Sequence, residues 1–313
     1  MSLKWLVVLG LFFIGGWNLD CRGSEDQDYQ EIRVGENKNV YVPLQDVPES
    51  DWYRMLHPTH INQNNLDFSR ISEIQGGLNL FSNFFSDISE YKSKHRYKSL
   101  RDRMTGVRSQ QRGTCNVFAA IAILEFELRE DLSEQCLAYF SSGHDGGSAS
   151  DRIQWAKING VYTERDCPFS KYRNDIPDLS GAKKIDVTES FEYKRQSDDS
   201  MSIIKKAIDK GYPITASVWV SSPSWDNFDD NSMITMPSES EIKQYCSSQN
   251  DLTNVNGKKR CGAHEVVITG YDEDTQSFEF KNSWGTKWKD GGYGRISYDY
   301  WYNMRMGNST HVY

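Results

Sequence analysis

The sequence predicts an α+β protein of two packed subdomains, one helical and one rich in strands, with a cleft between them. Three observations carry this. Helical patterns dominate from about residue 97 to 210, and short strand-like runs follow between 213 and 298. A lone cysteine, Cys115, stands at the head of the first long apolar helix. A histidine, His264, and an asparagine, Asn282, lie far downstream in the strand-rich half. A chain of 313 residues has length enough for a full core, and 37% hydrophobic with 13% aromatic residues is too apolar for disorder. The net charge is −8 with no extended basic patch, so nucleic acid and anionic membranes are not expected partners.

The elements follow in chain order. Lys4 and the apolar run Trp5 to Gly16 read as a secretory leader over residues 1–21, too short to span a bilayer. Cys21 is a lipid-acceptor candidate in a poor context, after Asn18-Leu19-Asp20. Residues 22–96 lack clear long-range periodicity and are expected to be a propeptide-like segment or a cap. Within them Leu78, Leu80, Phe81, Phe84, Phe85 and Ile88 suggest a small helical unit, and Tyr91 to Lys98 a basic linker. Residues 97–313 form the main domain. Val117, Phe118, Ile121, Ile123, Leu124 and Leu128 predict a helix from Cys115. Further helices are predicted over Ser150 to Gly160 and Ser200 to Lys210, each stopped by a glycine. Strands are predicted at Pro213 to Val220, Glu265 to Gly270, Ser277 to Lys281 and Tyr293 to Tyr298.

Export makes disulfides available. Setting aside Cys21 and Cys115 leaves Cys136, Cys167, Cys246 and Cys261, which allow three pairings. Order along the chain favours Cys136–Cys167 and Cys246–Cys261. No CxxC pair or histidine cluster suggests a metal site, and no cofactor is expected.

The chemistry gathers around Cys115. A thiol is nucleophilic as the thiolate, a form favoured by a helix N-terminus and a neighbouring imidazolium. An imidazole needs a third group to hold its tautomer, and a side-chain amide can do this. Cys115, His264 and Asn282 therefore read as nucleophile, acid/base and orienter. Acyl transfer also develops an oxyanion, for which Gln110, or alternatively Gln111, offers an amide beside the Cys115 N–H. Trp284 can shield the Asn–His contact from water. The pattern suits acyl transfer by an exported enzyme, expected to be a monomer. Two other readings use the same residues: a silent protein that binds peptides without cutting, and a Cys–His amidase or acyltransferase on cell-wall peptides.

Over roughly residues 97–313 the chain resembles the papain family of cysteine peptidases, as a divergent member of the exported, bacterial kind. The resemblance is carried by Lys281-Asn282-Ser283-Trp284-Gly285-Thr286-Lys287-Trp288, followed by Gly291-Gly292-Tyr293-Gly294. His264 with Gly270-Tyr271, Leu132-Ser133-Glu134-Gln135 and Asp145-Gly146-Gly147 extend it. It implies a helical left lobe, a β-barrel-like right lobe and an active-site cleft, with Gly146, Gly147 and Trp284 contacting substrate. It also implies a thiol protease made as a zymogen. The departures are specific. Arg112-Gly113-Thr114-Cys115-Asn116 lacks the family's upstream cysteine and the aromatic after the nucleophile. Gln110 lies one residue closer to Cys115 than usual. Glu265 stands where a small apolar residue is usual and is expected to face solvent from a strand edge. Buried, it would need a partner or a proton. Ser221 to Arg260 is a long insertion, expected to be a disulfide-pinned flap or a surface excursion. Asn308-Ser309-Thr310 is a glycosylation sequon.

Overall fold

A thirteen-residue strand, β6 (Arg260–Asp272), organises one of the two lobes. It is buried on both faces, as its near-continuous run of valine, isoleucine and small residues requires. The structure is a computed structural model in which residues 29–35, 38–61, 96–142, 144–187, 193–195, 201–227, 231, 233–247, 260–306 and 310–312 are described. The expected leader, Cys21, the helical unit near Leu78, most of the basic linker and the sequon asparagine lie outside the described residues.

The sheet is antiparallel and grows outward from β6. Strand β5 (Ile214–Val220) pairs along residues 262–268 of β6, and β3 (Tyr97–Ser99) continues the same edge at 270–272. On the opposite edge β7 (Ser277–Lys281) pairs with 267–272, and β8 (Tyr293–Ser297) pairs in turn with β7. That opposite edge also receives an N-terminal strand. Strands β1 (Tyr29–Gly35) and β2 (Lys38–Asp46) form a hairpin, and Leu44, Gln45 and Asp46 of β2 pair with Gly262, Cys261 and Arg260. Residues 263–266 of β6 are thus left between β2 and β7, and His264 sits in this gap. Strands β4 (Tyr193–Arg195) and β9 (Thr310–Val312) extend the far side of β5.

The helical lobe is built on α2 (Cys115–Leu128), buried over nearly its whole length because it is apolar all round. Helix α3 (Glu134–Ser141) starts at Ser133, whose Oγ accepts the Cys136 N–H at 2.9 Å. Helix α4 (Ala149–Asn159) starts at Ser148 and stops at Gly160, with φ 68°. Val117, Ile121, Leu124, Leu137, Ile153 and Val161 pack as the core of this lobe. The β lobe has its own core, which includes Ile32, Val34, Val40 and Val42 of the hairpin. Helices α1 (Glu49–Leu56), α5 (Met201–Asp209), α6 (Glu239–Ser247) and α7 (Tyr298–Met304) complete the described fold. Disulfides join Cys136 to Cys167 and Cys246 to Cys261.

Two local expectations are revised. The strand from Tyr293 ends at Ser297, whose Oγ accepts the Tyr300 N–H and starts α7. The insertion after Ser221 is more than a surface excursion: it buries Trp225 completely and carries α6, pinned by Cys246–Cys261. Of the segment before residue 96, strands β1 and β2 join the sheet at the 260–262 end of β6.

An aromatic floor supports the strand that carries His264. Trp225, Phe280, Trp284, Trp288 and Tyr300 are fully buried, and the Tyr300 hydroxyl donates to Trp219 O at 2.7 Å while accepting from Trp225 Nε1 at 2.8 Å. Gly294 is the spacer in this layer: a Cβ there would lie 2.7 Å from Phe280 Cζ and 2.8 Å from Trp288 Cη2. Gly294→Ala should therefore overpack the layer and lower the unfolding free energy by roughly 1–3 kcal/mol, read from urea titration.

Candidate active site

Cys115 is the first residue of α2, next to the Gly113-Thr114 turn, and it is buried and takes no part in a disulfide. Thr114 sits at the N-cap without a side-chain cap bond, so the helix presents its partial positive charge at the sulfur's position. His264 stands on β6 and is 1% exposed. Its Nε2 lies 2.7 Å from Asn282 Oδ1. The same Oδ1 accepts the Ser283 N–H at 2.8 Å, which fixes this atom as the amide oxygen. Nε2 must then carry the proton and donate to it, leaving Nδ1 as the bare nitrogen in the neutral ring. Trp284 stacks on the imidazole at 4.6 Å between centroids and is fully buried, so it seals the pair from water. Burial pushes His264 down to about 4, against the upward pull of its bond to Asn282. In this state the ring is uncharged at neutral pH.

Gln110 is brought to the same place by a zipper between the lobes. Gln110 N donates to Ser283 O at 2.8 Å, and Gly285 N donates to Arg108 O at 3.0 Å. Ser283 Oγ donates to Gln110 Oε1 at 2.6 Å, which turns Nε2 away from Ser283. That Nε2 donates to Arg112 O at 3.2 Å and to Tyr41 O of the hairpin at 3.3 Å. Gln111, the alternative, is exposed.

On the helical side, Gly147 has φ 123°, and a Cβ there would meet Asn116 Nδ2 at 3.3 Å and Arg152 Nη2 at 3.2 Å. Arg152 Nη2 donates to the carbonyls of His144 and Gly146 and so shapes this loop. Arg112 forms an ion pair with Asp145 at 2.8 Å, and its Nη2 donates to Gln135 Oε1 at 3.0 Å. Glu134 is buried against Arg108, but burial outweighs the cation and raises its carboxyl to about 8. Among the described residues no group of three or more His, Cys, Asp or Glu side chains is placed to hold a metal ion, and no helix is long and apolar enough to cross a membrane.

Glu265 does not face solvent. It is 7% exposed, and its Oε2 accepts the Ala149 N–H at 2.9 Å, so it reaches from the histidine strand to the N-terminus of α4 in the other lobe. The helix end supplies the partner that a buried carboxyl needs. No local pattern reveals this contact, because Ala149 lies 116 residues away.

The chain matches the description "Papain family cysteine protease" over residues 94–312. It belongs to the papain family of cysteine proteases. Among curated proteins it is 25% identical over 212 residues to gamete and mating-type specific protein A of Dictyostelium discoideum, covering 62% of this chain and 40% of that protein. It is 24% identical over 203 residues to chicken (Gallus gallus) cathepsin K, covering 61% of this chain and 54% of that protein. The chain thus spans about half or less of the length of these relatives. Among solved structures it is similar to xylellain, a cysteine protease from Xylella fastidiosa, with a TM-score of 0.50 and 22% identity over 69% of this chain and 85% of that one. That likeness shows the shared fold.

The Glu265 carboxyl gives the site a pH-dependent stability. Burial raises it from 4.5 to about 8, with Asp151 adding to the rise and the Ala149 N–H and Arg152 opposing it. The folded state therefore holds the proton more tightly than the unfolded one. This contribution is complete below about pH 4.5 and is lost as pH rises through about 8. Glu265→Gln keeps an oxygen for the Ala149 N–H and removes the titration. It should match the parent near pH 4.5 and exceed it by an amount of the order of 2 kcal/mol at pH 8, read from paired urea titrations. An equal difference at both pH values would show that Glu265 does not titrate in this range.

Proposed function

We propose that this chain is a cysteine peptidase, with Cys115 as nucleophile, His264 as acid/base, Asn282 as orienter and Gln110 as oxyanion donor. The observation that carries the reading is the Asn282–His264 hydrogen bond. It sets the tautomer whose bare Nδ1 can take the Cys115 proton. The thiolate then attacks a substrate carbonyl carbon. The carbonyl oxygen becomes an oxyanion, held by the Cys115 N–H and Gln110 Nε2. The carbon–nitrogen bond breaks as His264 returns its proton to the leaving amine, giving a thioester. Water, deprotonated by His264, attacks the thioester and frees the acid and the thiol. The mechanism uses only side chains and backbone of this chain. Gly146 and Gly147 leave room for an extended substrate backbone beside Cys115. The two disulfides fit an exported protein working in an oxidising compartment.

An epoxide-type thiol inhibitor should label Cys115, and Cys115→Ala should take up none. Asn282→Ala frees the imidazole to rotate and should lower kcat/KM on a peptide substrate by roughly 10–100-fold. Activity should follow a bell-shaped pH profile, because thiolate and imidazolium coexist only between their two pKa values. Absence of labelling at every pH from about 5 to 8 would remove the peptidase reading.

A further inference from the structure

Asn116 directly follows Cys115 and is 1% exposed. Neither its Oδ1 nor its Nδ2 has a hydrogen-bond partner among the described residues. An amide buried in this way is destabilising, because it gives up water and gains no bond in exchange. It stands where the family resemblance expects an aromatic, which would bury fewer polar atoms in the same place. A side chain that breaks a packing rule next to a reacting group points to a use.

The glycine loop beside it has the opposite mismatch. Arg152 Nη2 carries two hydrogens, and three main-chain carbonyls lie on it: His144 O at 3.2 Å, Asp145 O at 3.4 Å and Gly146 O. Two hydrogens serve three acceptors poorly. Asn116 Nδ2 also carries two, and neither is used. The two nitrogens flank one point: a Cβ on Gly147 would lie 3.2 Å from Arg152 Nη2 and 3.3 Å from Asn116 Nδ2. Gly147, with φ 123° and no side chain, gives the peptide groups room to turn there. Passing one carbonyl of residues 144–146 from Arg152 to Asn116 relieves both groups. It also draws the loop from α4, which carries Arg152, towards the head of α2, where Cys115 lies.

We propose that Asn116 is a positioning residue for the cleft wall: the loop of residues 144–147 has a second setting, held by a hydrogen bond from Asn116 Nδ2 to one of its carbonyls, and a bound peptide selects it. The proposal rests on the peptidase reading and adds how the Gly146–Gly147 wall is brought up to the substrate. The change is a turning of peptide groups, not a departure of the loop. The Asp145 side chain keeps its ion pairs with Arg112 at 2.8 Å and Arg173 at 3.2 Å, and Arg152 Nη1 keeps its bond to Ser141 Oγ at 2.7 Å. A ligand shifts a loop only by favouring one setting over another. Here the favoured setting gains a hydrogen bond that the other lacks.

The test uses the full chain. It compares Asn116→Leu, close in size and without polar atoms, with Asn116→Asp, equal in shape and without the donor. Three things are measured: kcat and KM on a peptide substrate, the rates at which a peptidyl epoxide and iodoacetamide label Cys115, and the urea midpoint of unfolding. Both variants should raise KM about tenfold, the worth of one hydrogen bond, and change kcat by no more than about twofold. Labelling by the peptidyl epoxide should slow by the same factor. Iodoacetamide, too small to need the loop, should react at the parent's rate. Asn116→Leu should unfold at the parent's urea concentration or above it, because it removes two unpaired polar atoms. A purely structural amide would lower that midpoint and leave KM alone. Parental KM and epoxide rate in either variant overturn the proposal; in Asn116→Asp they show that the working atom is Oδ1. An equal fall in both labelling rates overturns it as well, since the thiol itself has then changed. So does failure of both variants to fold. A parent that neither turns over peptide nor takes either label removes the peptidase reading, and the proposal with it.

Discussion

The hydrogen bond from His264 Nε2 to Asn282 Oδ1 is the constraint on which the rest of the site depends. A neutral imidazole has one donor and one acceptor nitrogen, and committing the donor to Asn282 leaves Nδ1 as the nitrogen able to accept a proton. The bond survives only where water is kept out, and this explains the layers beneath it. Trp284 stacks on the ring, Trp288 and Trp225 support Trp284, and Gly294 leaves room for the layer to close. Asn282 itself hangs from Gly292 O by its backbone N–H. The glycine and tryptophan content of the segment from Asn282 to Gly294 is thus the physical requirement for a dry, oriented histidine.

The same dryness works against an ion pair. A ring pushed down to about 4 is uncharged at neutral pH, so a thiolate–imidazolium couple belongs to a state in which the histidine is better hydrated. On its aromatic side His264 is buried by Trp284, stacked on the ring, and by Trp225, edge-on to it.

Much of this was legible in the sequence. The helices from Cys115, Ala149 and Met201 and the strands from Ile214, Ser277 and Tyr293 follow local patterns of apolar residues closed by glycines or serines. The different settings of Gln110 and Gln111 needed three dimensions, because Gln110 is held by Ser283, 173 residues away. Helix α7 was hidden by its aromatic density: Tyr298, Tyr300 and Trp301 favour strands locally, and tertiary packing against β5 decides the matter. The hairpin carried its own signal. Gln30, Ile32 and Val34, then Val40, Val42 and Leu44, alternate with polar residues, but each run is too short to stand out in a polar segment. No local pattern could say that it docks on β6. The bare Gly262 before the histidine was the available hint, since a close approach is one reason for glycine in a strand.

Arg112 shows how a family departure is absorbed. The resemblance places the family's upstream cysteine at this position, and with its loss goes a covalent tie across the helical lobe. Arg112 restores a tie without sulfur. It pairs with Asp145, just before Gly146 and Gly147, and donates to Gln135 and to Ser170 O, while its guanidinium lies 4.9 Å from the Phe169 ring. Buried ion pairs are costly unless their remaining donors are used, and here they are used on groups from α3 and from the loop after Cys167. The turn before Cys115 is therefore anchored to the glycine loop by a contact that reducing conditions do not break. What redox chemistry remains in the helical lobe, at Cys136–Cys167, sits one residue from Gln135 and so holds the far end of the same anchor. That disulfide therefore acts on the Cys115 turn indirectly, by fixing the helix that Arg112 grips.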